Sequence, residues 1–142
     1  MTLHPKRGGL RRRHCLIAAL PGLLTAAPCA HATTLHEAMR RAEALRDQAV
    51  RSGDQPYGAV VLRDTEIVGA APSRVVTSTD PTAHAEMEAI RDAARRLRTR
   101  DLAGCVLVST SRPCRMCEAA AGWAGISRMV HGEALTDAGP PR

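Results

Sequence analysis

Apolar residues recur at helical spacing through Leu35, Ala38, Met39, Ala42, Leu45 and Ala49 and stop at Ser52-Gly53, which predicts an amphipathic first helix. Thr34, with Glu37 three residues later, forms a capping box at its start. Tyr57 to Leu62 and Glu66 to Ala70 are short β-prone runs joined across Arg63-Asp64-Thr65, the pattern of a hairpin. Asp80-Pro81-Thr82 opens a second helix that runs to about Leu97, since a capping side chain followed by proline suits a helix start. Cys105 to Ser109 reads as a strand, Cys114 to Ala124 as a third helix, and Ser127 to His131 as a last strand. Strand, helix, strand implies a parallel pair joined by a right-handed crossover. The predicted fold is a three-layer α/β/α sandwich: a mixed sheet of four strands with an N-terminal hairpin, and three helices.

Composition changes this picture mainly at the N-terminus. A chain of 142 residues is one domain. Its net charge of +6 sits almost wholly in the first 32 residues, where Lys6, Arg7, Arg11, Arg12 and Arg13 face no acid; the other 110 residues carry 15 basic and 14 acidic groups. No strongly basic stripe runs over the body, which argues against nucleic acid as a partner. Residues 1–32 read as an export signal, with a basic stretch, an apolar run from Cys15 to Ala27 broken by Pro21-Gly22, and Ala30-His31-Ala32 as the cleavage site. The adjacent arginines followed by Leu16-Ile17 resemble a twin-arginine signal. Residues 33–142 are then the exported, periplasmic domain; the alternative is a leader translated from a wrongly assigned start onto a cytoplasmic protein. No run of ~20 apolar residues is present to span a membrane. The mature chain keeps three cysteines, an odd number that argues against a disulfide framework, and Cys105 reads as a buried strand residue.

Two short motifs carry the chemistry. His84-Ala85-Glu86 falls in the first turn of one helix, and Pro113-Cys114-Arg115-Met116-Cys117 leads into the first turn of the next. Either alone is weak, because H-x-E is common on helix faces and C-x-x-C serves redox pairs and structural zinc knots. Together they offer one imidazole and two thiolates. Zinc takes both readily, and three protein ligands leave a fourth tetrahedral position open for water. Cys114 and Cys117, at i and i+3, share one helix face, and the positive ends of two helices favour the deprotonated sulfurs. Glu86 beside the open position is the candidate proton shuttle, and a poorly solvated pocket would give it the raised pKa that role needs. His36 and His131 read as surface or strand-end residues.

This order of motifs resembles the H-x-E…P-C-x-x-C signature of zinc nucleobase deaminases. From about Leu35 to Gly132 the chain resembles the cytidine and deoxycytidylate deaminase superfamily, in the branch of guanine deaminases and tRNA adenosine deaminases. Asp80 to Glu86 with Ala89-Ile90-Arg91 is similar to the helix motif of both. Gln55-Pro56-Tyr57-Gly58-Ala59-Val60-Val61 resembles their first strand, and Trp123-Ala124 resembles the guanine deaminase version of the third helix. The resemblance implies a zinc-dependent hydrolytic deaminase of a free nucleobase or nucleoside, guanine or a related purine first, with Glu86 catalytic and His84, Cys114 and Cys117 on the metal. Ser73, Tyr57, Ala85 and Trp123 are the candidate substrate contacts, Tyr57 and Trp123 being the only aromatic residues available for stacking. A homodimer is implied, as family members commonly dimerise. Three features depart from the family pattern. Ser73 stands where a substrate-contacting asparagine is usual, Arg112 stands where a glutamate precedes Pro-Cys, and the chain stops soon after the fourth strand, so a fifth is expected to be lacking.

Two other readings accompany this one. A tRNA or nucleic-acid editor would need a basic surface, for which Arg91, Arg95, Arg96, Arg98 and Arg100 are the local cluster, although such a run is ordinarily a solvated helix face. A non-catalytic zinc-binding domain is the other, favoured by the three departures.

Overall fold

The computed structural model describes residues 33–142; the export-signal reading of residues 1–32 lies outside the described residues. Chain order is α1 (Leu35–Arg51), β1 (Gly58–Arg63), β2 (Glu66–Pro72), α2 (Ala85–Leu97), β3 (Cys105–Ser109), α3 (Arg115–Trp123), β4 (Arg128–His131) and β5 (Thr136–Gly139). The strands form one mixed sheet in the order β2-β1-β3-β4-β5. β1 runs antiparallel to β2 and β3, β3 and β4 are parallel across the α3 crossover, and β5 returns antiparallel along β4.

Strand alternation divides the core into two layers. Val60, Leu62 and Val108 pack with Ala38, Met39, Ala42 and Leu45 of α1. On the opposite face, Ala59, Val61, Cys105 and Leu107 pack with Ala85, Ala89, Ile90 and Ala93 of α2 and Ala121 of α3. With helices on both faces, the interior strand β1 is buried and apolar from Gly58 to Leu62 rather than alternating. Two glycines set the layer spacing. A Cβ at Gly58 would run into the carbonyl of Ala42 on α1, and one at Gly69 into the carbonyl of Ala89 on α2.

Two expectations are corrected. The sheet has a fifth strand: Met129, Val130 and His131 pair with Gly139, Asp137 and Thr136, the Arg128 guanidinium meets the Asp137 carboxylate at 2.9 Å, and Ala138 packs against the α2-side core. Thr136-Asp137-Ala138-Gly139 is too short and too polar to show as β-prone. The second helix starts at Ala85 and not at Asp80, because the Asp80 carboxylate accepts from the Thr82 N–H (2.8 Å) and hydroxyl (2.7 Å) and closes a separate turn ahead of it.

Candidate metal centre

His84 and Cys114 hold equivalent places, each the N-cap of a helix with extended backbone and no capping bond from its side chain. The two helix starts meet above the ends of β1 and β3, and Cys117, one turn into α3, completes the cluster. Cys114 Sγ and Cys117 Sγ lie 3.7 Å apart, and His84 Nδ1 is 3.8 and 3.7 Å from them respectively. Tetrahedral zinc with Zn–S of ~2.3 Å and Zn–N of ~2.0 Å places two sulfurs about 3.8 Å apart and sulfur and nitrogen about 3.5 Å apart. The observed triangle fits that ion. All three donor atoms fall within 4.8 Å of one another, and among the described residues no fourth histidine, cysteine or carboxylate joins them.

Glu86, two residues beyond His84, is 4% exposed, and its Oε2 lies 3.7 Å from Cys117 Sγ. Burial pushes its carboxyl above the usual range, against the pull of its own backbone N–H, the His84 ring and the Cys117 thiol. Burial also pushes the Cys117 thiol up, with the Glu86 carboxylate and Cys114 adding to it. A divalent cation between the sulfurs reverses that balance, since a coordinating thiol is deprotonated outright.

His84, Glu86 and Cys114 line a cavity of about 290 Å³ whose other walls are Gln55, Tyr57, Ser111 and Arg112. Of the candidate substrate contacts, only Tyr57 lies there, 40% exposed at the mouth. The other three are placed elsewhere. Ser73 is buried and donates its hydroxyl to Asp54 Oδ1 at 2.8 Å, Ala85 is buried in the α2-side core, and Trp123 is 87% exposed in a separate groove with Ile90, Ala94 and Arg100. Cys105 is buried in the same core as Ala85, and His36 is exposed on α1.

Sequence reasoning missed Gln55, Ser111 and above all Asp54. Asp54 Oδ1 accepts from Ser73 and the Gln55 N–H, and Oδ2 from the Val76 N–H and from both the N–H and hydroxyl of Thr77, at 2.8 to 3.1 Å. Burial alone would raise this carboxyl, but the bonds from Thr77, Ser73 and Gln55 outweigh it and hold the group well below the ordinary range. The Ser73 N–H donates to the Tyr57 carbonyl at 2.9 Å, so the Ser73–Thr77 loop and the Gln55–Tyr57 wall are fastened together. Gln55 neighbours the recognisable Tyr57 and Ser111 lies two residues before Pro113, so both were within reach; Asp54 carried no local signal.

An α/β/α layer with imidazole and paired sulfurs at two converging helix starts defines a zinc-binding domain of the deaminase type. The chain belongs to the cytidine and deoxycytidylate deaminase zinc-binding family, whose pattern matches residues 32–133. It is 46% identical over 109 residues to tRNA(Ile)-lysidine synthase of Deinococcus radiodurans, covering 76% of this chain and 19% of that one. It is 43% identical over 89 residues to the tRNA-specific adenosine deaminase of Aquifex aeolicus (61% and 59% covered), and 39% identical over 101 residues to the guanine deaminase of Bacillus subtilis (70% and 65%). The crystal structure of the Bacillus subtilis enzyme superposes with a TM-score of 0.64 at 36% identity, covering 68% of this chain and 65% of that one. The chain thus spans less than two thirds of the length of these relatives.

Proposed function

We propose that the chain is a zinc-dependent hydrolytic deaminase of a nucleobase or nucleoside, with a purine ring such as guanine favoured. The observation that carries this reading is the three-donor triangle with a buried carboxylate at its side, both opening on one base-sized cavity. Similarity to a guanine deaminase and a tRNA adenosine deaminase supports the purine.

Zinc in an open three-ligand site supplies a water whose pKa falls from about 15.7 toward 7. His84, Cys114 and Cys117 hold the ion, while Glu86 takes up a proton at its carboxylate and returns it to the departing amine, so that ammonia leaves and the ring carbon keeps the oxygen. Glu86 is buried beside the Cys117 sulfur and lines the cavity, which sets its carboxylate against the reacting groups. Tyr57 and Gln55 are the wall against which the ring rests.

A nucleic-acid editor is the second reading, supported by the Aquifex aeolicus relative. The arginine run on α2 does not favour it. Arg91 pairs with Glu88, and Arg95 and Arg96 with Asp92, along their own helix. The homodimer and the export of residues 33–142 belong to the proposal too, to be checked by sedimentation and by cell fractionation.

The test is ammonia release by zinc-quantified protein from guanine, adenosine, cytosine and cytidine, with Glu86→Ala as the blank. Native protein releases ammonia from a purine, and Glu86→Ala releases none while keeping its zinc. Equal signals from both proteins would replace the enzyme with an inert zinc-binding domain.

A further inference from the structure

Seven residues line the cavity at the candidate metal centre, and they divide by what each side chain offers a ring. His84, Cys114 and Glu86 belong to the metal cluster and its proton shuttle. Arg112 only donates, and Ser111 and Tyr57 carry one hydroxyl each. Gln55 alone presents a donor and an acceptor side by side, in the plane of one carboxamide. The chain holds no asparagine and two glutamines, and the other, Gln48, lines a different cavity with residues of α1 and β2. The backbone of Gln55 is fastened on both sides. Its N–H donates to Asp54 Oδ1 at 2.8 Å, its carbonyl accepts from the Tyr57 N–H at 2.7 Å, and Pro56 between them has a fixed φ. Asp54 is anchored in turn by Ser73, Val76 and Thr77, so Gln55 is tied to a loop across the fold and not to its sequence neighbours alone. With both backbone groups committed, what Gln55 has for a ligand is its amide, which among the described residues has no other partner.

A few placed polar groups decide which ring edges a small pocket accepts, and a side chain on an anchored backbone loses less freedom when it pairs. We propose that Gln55 is the specificity-determining residue of this cavity, its carboxamide pairing with the neighbouring N–H and C=O of a lactam ring such as guanine, and that Asp54 is the positioning residue that holds it there. No single side chain among Arg112, Ser111 and Tyr57 matches that edge as one planar amide does. Adenine also carries a donor beside an acceptor, but its donor is the amine that has to leave, so that edge belongs to the metal. The proposal rests on the deaminase reading for the reaction; the pairing itself needs no turnover.

Guanine and 2-aminopurine share the same amine and differ only in the lactam, so their affinities isolate the edge. Equilibrium dialysis of each against full-length zinc-loaded protein carrying Glu86→Ala, to prevent turnover, tests the proposal. Guanine binds at least about tenfold more tightly than 2-aminopurine. Adding Gln55→Leu, of similar volume, brings the two within about twofold at unchanged zinc content. Adding Asp54→Asn instead, which turns one acceptor oxygen into a donor, weakens guanine at least about fivefold and leaves 2-aminopurine within about twofold, in protein whose melting point stays above the assay temperature. A purely structural Asp54 would move both rings alike or neither, and either result removes its positioning role. Equal affinities before substitution overturn the proposal, as does binding of neither ring. So does a guanine advantage that survives Gln55→Leu, which would give the edge to Ser111 or Arg112. Ammonia released from guanine by native protein, with that advantage untouched by Gln55→Leu, removes the edge reader and leaves the deaminase; an advantage that collapses in a protein releasing no ammonia keeps the reader and removes the enzyme.

Discussion

Asp54 accepts five hydrogen bonds while only 8% exposed, so removing its carboxylate strands donors from Gln55, Ser73, Val76 and Thr77 together. Asp54→Ala should destabilise the protein by about 3 kcal/mol in urea denaturation. The pH dependence has a definite sign. A carboxyl whose folded pKa lies below its unfolded value of about 3.9 contributes stability that is complete above that value and is lost as the pH falls below it toward the folded pKa. Native stability should therefore drop as the pH falls through 4, and the difference between native and Asp54→Ala should narrow over the same interval. None of this was legible in the chain. Asp54 sits in a Ser-Gly-Asp-Gln turn like any other, and its partners beyond the adjacent Gln55 lie 19 to 23 residues away, joined only once β1 and β2 have paired. The candidate metal ligands were legible because their spacing is local: each motif fits within one helix start. That Ser73 and Trp123 lie outside the cavity lined by His84 and Glu86 was not legible for the opposite reason, since which wall a side chain faces depends on the layer above it.

Elements behave as their ends and contact points dictate. The Thr34 hydroxyl accepts from the Glu37 N–H at 3.2 Å and the Glu37 carboxylate from the Thr34 N–H at 2.7 Å, the reciprocal box read from the chain. Thr34→Ala should cost about 1 kcal/mol, seen as a lower urea midpoint at unchanged slope. Gly69 is a stricter position. A methyl group there meets the backbone of α2, which cannot swing aside as a side chain can, so Gly69→Ala should lose about 3 kcal/mol by the same measurement and loosen the helix that bears His84 and Glu86. The β-branched, apolar runs that made β1 and β3 readable have no counterpart in β5. That strand is held by one ion pair, one packed alanine and the sharp turn before it, where Gly132 and Leu135 both take positive φ.

Taken as one molecule, the domain couples its metal to its fold. The candidate ligands come from two helices that pack on the same sheet face, and an ion bound only by the folded chain adds stability in proportion to the logarithm of its excess. At about a thousandfold excess over Kd that is about 4 kcal/mol, so stripping zinc with a chelator should lower Tm by at least about 10 °C in scanning calorimetry. Cys117→Ala should melt near the stripped temperature and ignore the chelator. The layer order was readable from hydrophobic spacing, whereas the cavity of about 420 Å³ lined by Arg112, Arg115 and Arg142 was not, because Arg142 reaches the start of α3 only through the return of β4 and β5.

His84 and Cys114 occupy the places where helices ordinarily carry a serine or aspartate to seal their first N–H groups, and neither side chain does so. Two spirals thus share a single fastener. Once it is withdrawn, both should fray from the same corner, and a protease applied to chelated material should nick the backbone near 84–87 and 114–117 before it touches the strands.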